Sequence, residues 1–341
     1  MKLFVFGSTG DLVRRKVFPA LEKENIPDLE IYAIGRKDFN DIQFLEYACK
    51  NINLNFKEKI RYIRIDFKKE DFNILLPHLD INKINYFYIS LPPESIDDIL
   101  YYLKNIKNKG FKIKILMEKP FGKSLEHANI LKDIIINGNL EKDFFISDHY
   151  LFKEGIFELK NKNFKKLKIV SIEKVGLEGR IGYYDDVGAL KDMIQSHFIN
   201  VLLRINKIKD IETLKFNEKH FGQYGNGVDY GYVKELGKNS YTETYVDLKF
   251  KYDNKEVQFI TGKRFDKKQT FLEIDDKKII IDEDNPYGKL FKKFFNNKNE
   301  YFPTIDDSIL AWKIISKLNK ENLFFYPEGV NIEDINNYYN K

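Results

Sequence analysis

The sequence predicts a two-domain protein that joins an α/β domain with a doubly wound parallel sheet to an α+β domain with a large, mostly antiparallel sheet. The 341 residues exceed the size of one ordinary domain. Up to about residue 147, short apolar runs alternate with amphipathic segments, which is typical of parallel sheets. Beyond residue 148, polar and apolar residues alternate singly, as in half-buried antiparallel strands. We therefore expect domains over 1–147 and 148–341.

The first domain is predicted to form by alternation of strands and helices. The expected strands are Leu3–Phe6, Ile31–Ile34, Tyr62–Ile65, Tyr86–Ser90, Ile113–Met117 and Phe144–Ser147. The expected helices are Leu12–Lys23, Ile42–Asn51, Ser95–Lys107 and Leu125–Ile136. Because helices lie between successive apolar strands, a parallel order is favoured.

The second domain shows its clearest pattern over Thr242–Phe250. Thr244, Val246, Leu248 and Phe250 share one face, and Tyr245, Asp247, Lys249 and Lys251 share the other, so one face is expected in a core and the other in water. Further strands are expected at Val257–Thr261, Phe271–Ile274 and Lys278–Ile281, and helices at Gly188–Arg204, Tyr287–Phe295 and Ile309–Leu318. The basic run 160–168 is interpreted as a solvated turn and the start of a strand.

Composition excludes several classes of protein. Hydrophobic residues make up 43% and aromatic residues 15%, which is too apolar for a disordered chain. Cys49 is the single cysteine, so no intrachain disulfide can form, and a reducing cytoplasm is expected. The first residues, Met1 to Gly7, do not have the pattern expected of a signal peptide, and no apolar run approaches ~20 residues, so no membrane partner is expected. The net charge is only +5, and the lysines are interleaved with acidic residues almost everywhere, which argues against nucleic-acid binding.

A glycine-containing turn follows the first strand and leads into the first helix: Gly7-Ser8-Thr9-Gly10-Asp11-Leu12. Glycines let backbone N–H groups approach a pyrophosphate, and the helix N-terminus carries partial positive charge. A G-x-x-G turn is also compatible with a plain tight turn, but its position favours a Rossmann-like nucleotide site. Arg36 follows the second strand, where an arginine suits the 2′-phosphate of NADP; a solvated loop residue is the alternative.

Two further segments carry candidate chemistry. Lys119 lies before a proline at the carboxyl end of a predicted strand, the edge at which open α/β sheets bind ligands; a surface lysine in a turn is the alternative. His149, Tyr150 and Lys153 supply N–H, O–H and ammonium donors suited to a phosphate. Asp148 beside them is suited to orienting a histidine elsewhere.

His197 lies in a predicted helix, where a histidine is more often a core or interface residue than a base. Asp192 precedes it by five residues, roughly 140° around an ideal α-helix, so spacing alone does not bring the two together. The basic cluster from Lys263 to Lys268 suits either a phosphate or a charged turn. These residues alone give candidates rather than a site.

The ordered set of motifs resembles the glucose-6-phosphate dehydrogenase family from residue 3 to about residue 330. The matching segments are Gly7 to Lys16, Leu91-Pro92-Pro93, Glu118 to Gly122, Asp148 to Glu154, Glu178 to Asp185, Asp192 to His197, Thr242-Glu243-Thr244 and Gly262-Lys263-Arg264. The segment with Asp148-His149-Tyr150 is highly specific, and the ordered set is more so.

The resemblance implies a role for each matched residue. His197 matches the general base, Asp148 the carboxylate that orients it, and Lys119 the lysine between substrate and nicotinamide. The implied cofactor contacts are Gly7, Ser8, Thr9, Gly10, Asp11, Leu12, Arg36, Leu91, Pro92 and Lys119. The implied substrate contacts are Lys16, His149, Tyr150, Lys153, Glu173, Asp192, Lys263 and Lys268.

The implied reaction moves hydride from C1 of glucose 6-phosphate to NADP and gives 6-phosphogluconolactone, the first step of the oxidative pentose phosphate pathway. NAD is expected only as a secondary cofactor, and no metal is expected. The resemblance also implies a homodimer through the second domain's sheet. The chain departs from the family's pattern in being shorter than typical members. Three replacements border the implied phosphate and sugar sites and bear on the substrate: Ile146-Ser147 for the usual Arg-Ile before Asp148, Phe152 for a Gly, and Ser196 for the usual Asn before His197.

Two alternative functions remain open at this stage. One is dehydrogenation of another sugar or sugar phosphate, as in the inositol dehydrogenase-like oxidoreductases, which also carry a Glu-Lys-Pro turn. The phosphate set His149, Tyr150 and Lys153 argues against it. The other is a non-catalytic sensor of NADP or sugar phosphate, against which the retained Asp148 and His197 argue.

Overall fold

The computed structural model describes residues 1–66, 72–177, 181–208, 210–281, 284–319 and 323–339, without the side chains of 181–183. The chain forms two compact units. The first unit comprises Met1–Phe152 and Asn285–Ile309, and the second comprises Lys153–Asp284 and Leu310–Lys341. Within the described residues, no helix combines the length and apolar character needed to cross a bilayer.

The first unit contains a six-stranded parallel sheet, as the sequence predicts. Its strands are β1 (Lys2–Phe6), β2 (Glu30–Gly35), β3 (Ile60–Arg64), β4 (Ile84–Ile89), β5 (Lys112–Met117) and β6 (Phe144–Ile146). Their order is β3-β2-β1-β4-β5-β6, and every neighbouring pair is parallel. The order reverses between β1 and β4, and such a switch point is where open α/β sheets bind ligands.

The helices of this unit follow the predicted alternation. They are α1 (Phe18–Glu24), α2 (Asp41–Ala48), α3 (Leu54–Lys57), α4 (Ile96–Asn108) and α5 (Leu125–Asn137). A π-helical turn, Val13–Val17, precedes α1, so the first predicted helix is only partly α-helical. Side-chain caps define two starts: Asn40 forms a capping box with Gln43 at α2, and the Ser124 side chain accepts from the His127 N–H at α5.

The second unit contains a seven-stranded mixed sheet. Its strands are β7 (Lys166–Ile172), β8 (Lys215–Tyr224), β9 (Tyr245–Tyr252), β10 (Lys255–Gly262), β11 (Gln269–Ile274), β12 (Lys277–Ile280) and β13 (Leu323–Tyr326). Their order is β12-β11-β7-β10-β9-β8-β13. The β7–β10 and β8–β13 pairs are parallel and the other four are antiparallel, so the prediction of a mostly antiparallel sheet is confirmed.

The helices of the second unit include an unusual segment. The α-helices are α6 (Ile181–Ala189), α7 (Ile199–Ile205) and α8 (Tyr232–Leu236). Between α6 and α7, Leu190–Phe198 is π-helical, and the Ile199 N–H donates to the Ile194 carbonyl five residues earlier. Phe198 packs edge-on against Phe259 of β10, which seats this segment on the sheet.

The division of the chain differs from the predicted one at residue 147. The first stretch of the first unit ends at Phe152, and the chain later returns to this unit with α9 (Pro286–Phe295). The reason is aromatic packing: Phe291 packs on Tyr88, and Phe294 packs on Phe145. α10 (Ile305–Ser316) then carries the chain into the second unit.

The outward face predicted for β9 is partly buried. Tyr245 and Asp247 were expected in water, yet both are buried. The cause is the segment after β13, which covers this end of the sheet: the Tyr339 hydroxyl bonds to Tyr245 Oη at 2.8 Å and donates to Asp247 Oδ2 at 3.0 Å. His220 of β8 stacks on the Tyr339 ring. Alternation along one strand cannot reveal such a cover from a distant segment.

Candidate functional site

The glycine turn at the end of β1 lies at the switch point of the parallel sheet. Gly7 has φ +80, and a Cβ there would overlap the Ser90 carbonyl, so only glycine lets the turn approach the end of β4 this closely. The Gly7 and Ser8 N–H groups both donate to the Ile34 carbonyl at 3.0 Å, which fixes the turn against β2. Thr9 is half-buried, and Gly10 and Asp11 are exposed where the π-helical turn begins. This placement suits a nucleotide pyrophosphate.

Cationic side chains gather beside this turn at the end of β2. Arg36 and Lys37 are exposed immediately after the strand. Tyr47 of α2 lies between two cations: the Lys37 ammonium is 3.9 Å and the Arg14 guanidinium 4.2 Å from its ring centre. The hydrogen bond with Lys37 lowers the pKa of Tyr47. The sequence predicted Arg36 here but missed Arg14, Lys37 and Tyr47, because no spacing rule joins them.

The ends of β4 and β5 carry the next group of candidates. Leu91 is half-buried and Pro92 exposed just beyond β4. Lys119 is half-buried, is the second residue after β5 and is joined to Pro120 by a cis peptide bond. The preceding Glu118 is buried, and its N–H donates to the Ile89 carbonyl at 2.8 Å. Lys119 therefore leaves the sheet at the same edge as the glycine turn.

The Asp148-His149-Tyr150 segment follows β6 in the first unit. Asp148 is 1% exposed, and its Oδ1 accepts the Tyr150 N–H at 3.0 Å, which fixes the carboxylate on its own turn. The His149 ring stacks on Tyr287 of α9, with centroids 5.2 Å and planes 14° apart. Burial raises the pKa of Tyr287 well above its ordinary value, and the charges of Glu118 and Asp148 add to this. Tyr287 was missed because its contact with His149 depends on the return of α9 to this unit.

In the second unit, Glu173 and Lys263 come together. β7 and β10 are parallel with Ile172 opposite Gly262, so the residues that follow them leave the sheet side by side. The Lys263 ammonium lies 2.5 Å from Glu173 Oε2 and 5.2 Å from the Tyr184 ring centre, and Lys263 is only 7% exposed. Two residues for which the resemblance implies substrate contacts thus pair with each other.

His197 and Asp192 lie in the π-helical segment. His197 is 2% exposed, and Asp192 is half-buried. The 140° separation expected for an ideal α-helix does not apply, because i→i+5 hydrogen bonding brings residues five apart nearer to one face. Asp192 is within electrostatic reach of Tyr184, whose pKa is raised well above its ordinary value by burial and then by the charges of Asp192 and Glu243.

Glu243 anchors the start of the π-helical segment. It is fully buried, its Oε1 accepts the Leu190 N–H at 3.0 Å, and its carbonyl accepts the Ala189 N–H at 3.0 Å. Gly188 has φ +66, and a Cβ there would overlap the Glu243 carboxylate. The Thr-Glu-Thr motif was noted in the sequence without a role for this glutamate. The structure shows that it holds the helix that carries His197.

Asp185 joins three segments of the second unit. Its carboxylate accepts from Ser240 Oγ at 2.5 Å and Tyr232 Oη at 3.0 Å, and it pairs with Lys238 at 3.0 Å. Burial alone would raise the pKa of Asp185, but these hydrogen bonds hold it below its ordinary value. This motif residue therefore stabilises the fold around the candidate residues.

The remaining candidate residues are described by their exposure and their position along the chain. Lys16 is exposed on the π-helical turn before α1, and Lys268 is exposed before β11. Lys153 is buried at 2% exposure at the start of the second unit. The Glu178-Gly179-Arg180 part of a sequence motif lies outside the described residues.

Two family models match this chain. "Glucose-6-phosphate dehydrogenase, NAD binding domain" matches residues 4–157, and "Glucose-6-phosphate dehydrogenase, C-terminal domain" matches residues 151–282. Glucose-6-phosphate 1-dehydrogenase of Buchnera aphidicola subsp. Schizaphis graminum is 31% identical over 364 residues, covering 87% of this chain and 72% of that protein.

Solved structures agree on the fold. A glucose-6-phosphate dehydrogenase in complex with glucose 6-phosphate superposes with a TM-score of 0.80 at 19% identity, over 97% of this chain and 94% of the other. A putative myo-inositol dehydrogenase from Sinorhizobium meliloti 1021 reaches 0.62 at 10% identity, over 93% and 95% of the two chains. At these identities the likeness concerns architecture alone, and it is weaker for the second protein.

Proposed function

The chain belongs to the glucose-6-phosphate dehydrogenase family, and from this premise we propose that it oxidises glucose 6-phosphate at C1 with NADP as the hydride acceptor. The product is a 6-phosphogluconolactone. One observation carries the proposal: the two family models together span residues 4–282, so the chain has both the nucleotide domain and the C-terminal domain of this family. The inositol dehydrogenase-like and sensor alternatives are less well supported.

We propose His197 as the general base that accepts the proton of the C1 hydroxyl on an imidazole nitrogen. A positioned base typically contributes ~10² to 10⁴ in rate. Its burial within a helix anchored by Glu243 limits the directions in which the ring can point. We assign Asp148 the role of orienting and charge-stabilising this histidine, which its fixed, buried carboxylate supports.

The residues around the β1–β4 switch point suit a nicotinamide cofactor. The backbone of the Gly7–Leu12 turn would hold the pyrophosphate, since glycine brings it close to the end of β4. Leu91 and Pro92 would line the path toward Lys119. When bound, the cofactor supplies the acceptor for hydride from C1. The Lys119 ammonium would lie beside the reacting carbon, where it orients the C1 hydroxyl and favours its loss of a proton.

The proposed substrate contacts divide into phosphate and sugar groups. His149, Tyr150 and Lys153 are assigned to the phosphate because their donors match its oxygens. Glu173 and Asp192 are assigned to sugar hydroxyls, as carboxylates accept hydrogen bonds from them. Because Lys263 pairs with Glu173, substrate hydroxyls would have to share or replace that ion pair. Lys16 and Lys268 would add positive charge as exposed cations.

The proposal is tested by following absorbance at 340 nm with the purified chain. Glucose 6-phosphate, glucose and other sugar phosphates are each combined with NADP or NAD. We expect rapid reduction of NADP with glucose 6-phosphate alone. Reduction only with another sugar would show that this sugar, and not glucose 6-phosphate, is the substrate. Binding without turnover of any pair would support the sensor alternative.

We propose NADP rather than NAD as the preferred cofactor because Arg36 is exposed directly after β2, and the next residue, Lys37, lies over the Tyr47 ring together with Arg14. Arg36→Ala should raise the Kd for NADP about 10-fold or more, with little change for NAD, because a charge-assisted bond to a phosphate is worth about 1.5–3 kcal/mol. Fluorescence titration measures both constants. Arg61→Ala is a control, since this exposed arginine lies on the edge strand β3. An equal effect of Arg36→Ala on both cofactors would contradict the role.

We also propose a homodimer through one face of the seven-stranded sheet. Ion pairs Lys249–Glu218 and Lys251–Glu256 lie on this face beside a groove of about 430 Å³. Interspersed charges of both signs can pair with a second copy across a two-fold axis. Light scattering should give twice the chain mass of 40.5 kDa, with partial dissociation at high salt. A monomeric mass at every salt concentration would contradict the dimer.

A further inference from the structure

One buried carboxylate joins the ends of three neighbouring strands in the first unit. Glu118 follows β5, and its Oε1 accepts from Tyr88 Oη of β4 at 2.7 Å and from Ser147 Oγ, just beyond β6, at 2.6 Å. The Ser147 N–H also donates to the Met117 carbonyl at 2.7 Å. Both hydroxyls therefore converge on a single oxygen atom, which fixes the direction of all three side chains.

The network is enclosed by protein. Tyr88 and Ser147 are fully buried, and Glu118 is 7% exposed. Burial raises the pKa of Glu118, while the bonds from Ser147 and Tyr88 and the charge of Lys119 act in the opposite direction. Burial also raises the pKa of Tyr88 well above its ordinary value, so its hydroxyl keeps the proton it donates. In such surroundings an unpaired oxygen is costly, so the bonds restrict movement strongly.

Two members of the network directly precede a proposed active-site residue in the sequence, and the third, Tyr88, is hydrogen-bonded to one of these two. Glu118 is followed by Lys119, and Ser147 is followed by Asp148. The charges of Glu118 and Asp148 also act on Tyr287, on whose ring His149 stacks, and add to the rise of its pKa that burial causes. A rotation of Glu118 would thus be transmitted to residues on two strands.

We propose that Glu118 is a positioning residue whose hydrogen bonds with Tyr88 and Ser147 set the directions of Lys119 and Asp148. The inference rests on the proposed function for the roles of Lys119 and Asp148. Glu118 itself is not assigned a contact with substrate. Its effect is expected on the chemical step rather than on cofactor affinity, since misplaced catalytic groups lower kcat while remote binding contacts persist.

The experiment uses Tyr88→Phe, Ser147→Ala and the double variant of the full chain. Tyr86→Phe is the matched control, because Tyr86 lies on the same strand two residues earlier and its hydroxyl donates instead to the Phe295 carbonyl at 3.2 Å. We expect each test variant to lower kcat between about 5- and 100-fold. KM for NADP should stay within about twofold of the parent, and Tyr86→Phe should keep the parental kcat. The double variant should lose less than the product of the single losses, because both bonds act through one oxygen.

Hydrogen exchange gives a second readout that does not depend on turnover. Peptides spanning 117–119 and 147–151 should exchange faster in the two single variants and remain as in the parent in Tyr86→Phe. Parental kcat and exchange in both variants, or an equal loss of kcat in Tyr86→Phe, would overturn the inference. Absence of turnover in the parent itself would contradict the proposed function instead, and the exchange comparison would still decide the positioning role.

Discussion

The two histidines of the second unit differ in how deeply they are buried. His197 is 2% exposed within the π-helical segment, whereas His220 is half-buried and stacked on Tyr339. A general base that must hold one orientation benefits from such enclosure. The contrast between these histidines makes them a natural pair of variants.

His197→Asn should lower kcat by about 10² or more, as expected for removal of a general base, while the Kd for NADP stays unchanged. Steady-state rates at 340 nm and fluorescence titration of NADP measure the two quantities. His220→Asn should retain parental turnover. Near-normal turnover in His197→Asn would remove the proposed assignment.

Single residues also show where sequence reasoning ends. The matched residues were found because the motifs occur in a fixed order. The pairing of Glu173 with Lys263 was not predicted, because it depends on the register of two parallel strands more than eighty residues apart. Tyr287 shows the same limit, since a stacking partner carries no motif of its own.

At the scale of elements, the π-helical segment is held in place at its first residue, where Glu243 accepts the Leu190 N–H and Gly188 leaves room for the Glu243 carboxylate. Gly188 and Gly237 both have positive φ, at +66 and +76, but a side chain at Gly188 would overlap Glu243, whereas nothing lies within 4 Å of one at Gly237. The two glycines therefore share the backbone cost of substitution and differ only in what the new methyl group meets.

Gly188→Ala should displace Glu243 from the Leu190 N–H and disturb the helix that carries His197. We expect a loss of about 2–4 kcal/mol in unfolding free energy and a clear fall in kcat, against about 1 kcal/mol and parental kcat for Gly237→Ala. Urea unfolding and turnover measure both effects. Equal losses in the two variants would show that backbone strain alone is involved.

Other elements differ in how readily they could be predicted. The six parallel strands were found because buried strands are short apolar runs between helices. β8 was missed because only its last residues are buried, and its first half reads as polar. The π-helical geometry was missed because apolar periodicity does not separate i→i+4 from i→i+5 bonding.

At the scale of the whole molecule, NADP bound to the first unit should raise the free energy of unfolding. NADP at 100 times its Kd should stabilise the folded state by about 2.7 kcal/mol, which corresponds to a rise in Tm of roughly 5–10 °C for a unit of this size. NAD at the same concentration should give a smaller rise. Calorimetry measures both, and Arg36→Ala should remove the difference. An equal rise with both cofactors in the parent would contradict NADP preference.

The return of α9 also has a consequence for dissecting this protein or exchanging parts between relatives. A fragment ending at Phe152 would lack Phe291 and Phe294, and would leave the rings of Tyr88 and Phe145 without these partners. Such a fragment would expose a hydrophobic aromatic surface and would therefore be prone to aggregation. A recombinant nucleotide-binding module would need residues 285–309 rejoined to it through a linker, and a hybrid with a relative would need its crossover points at three positions in the chain.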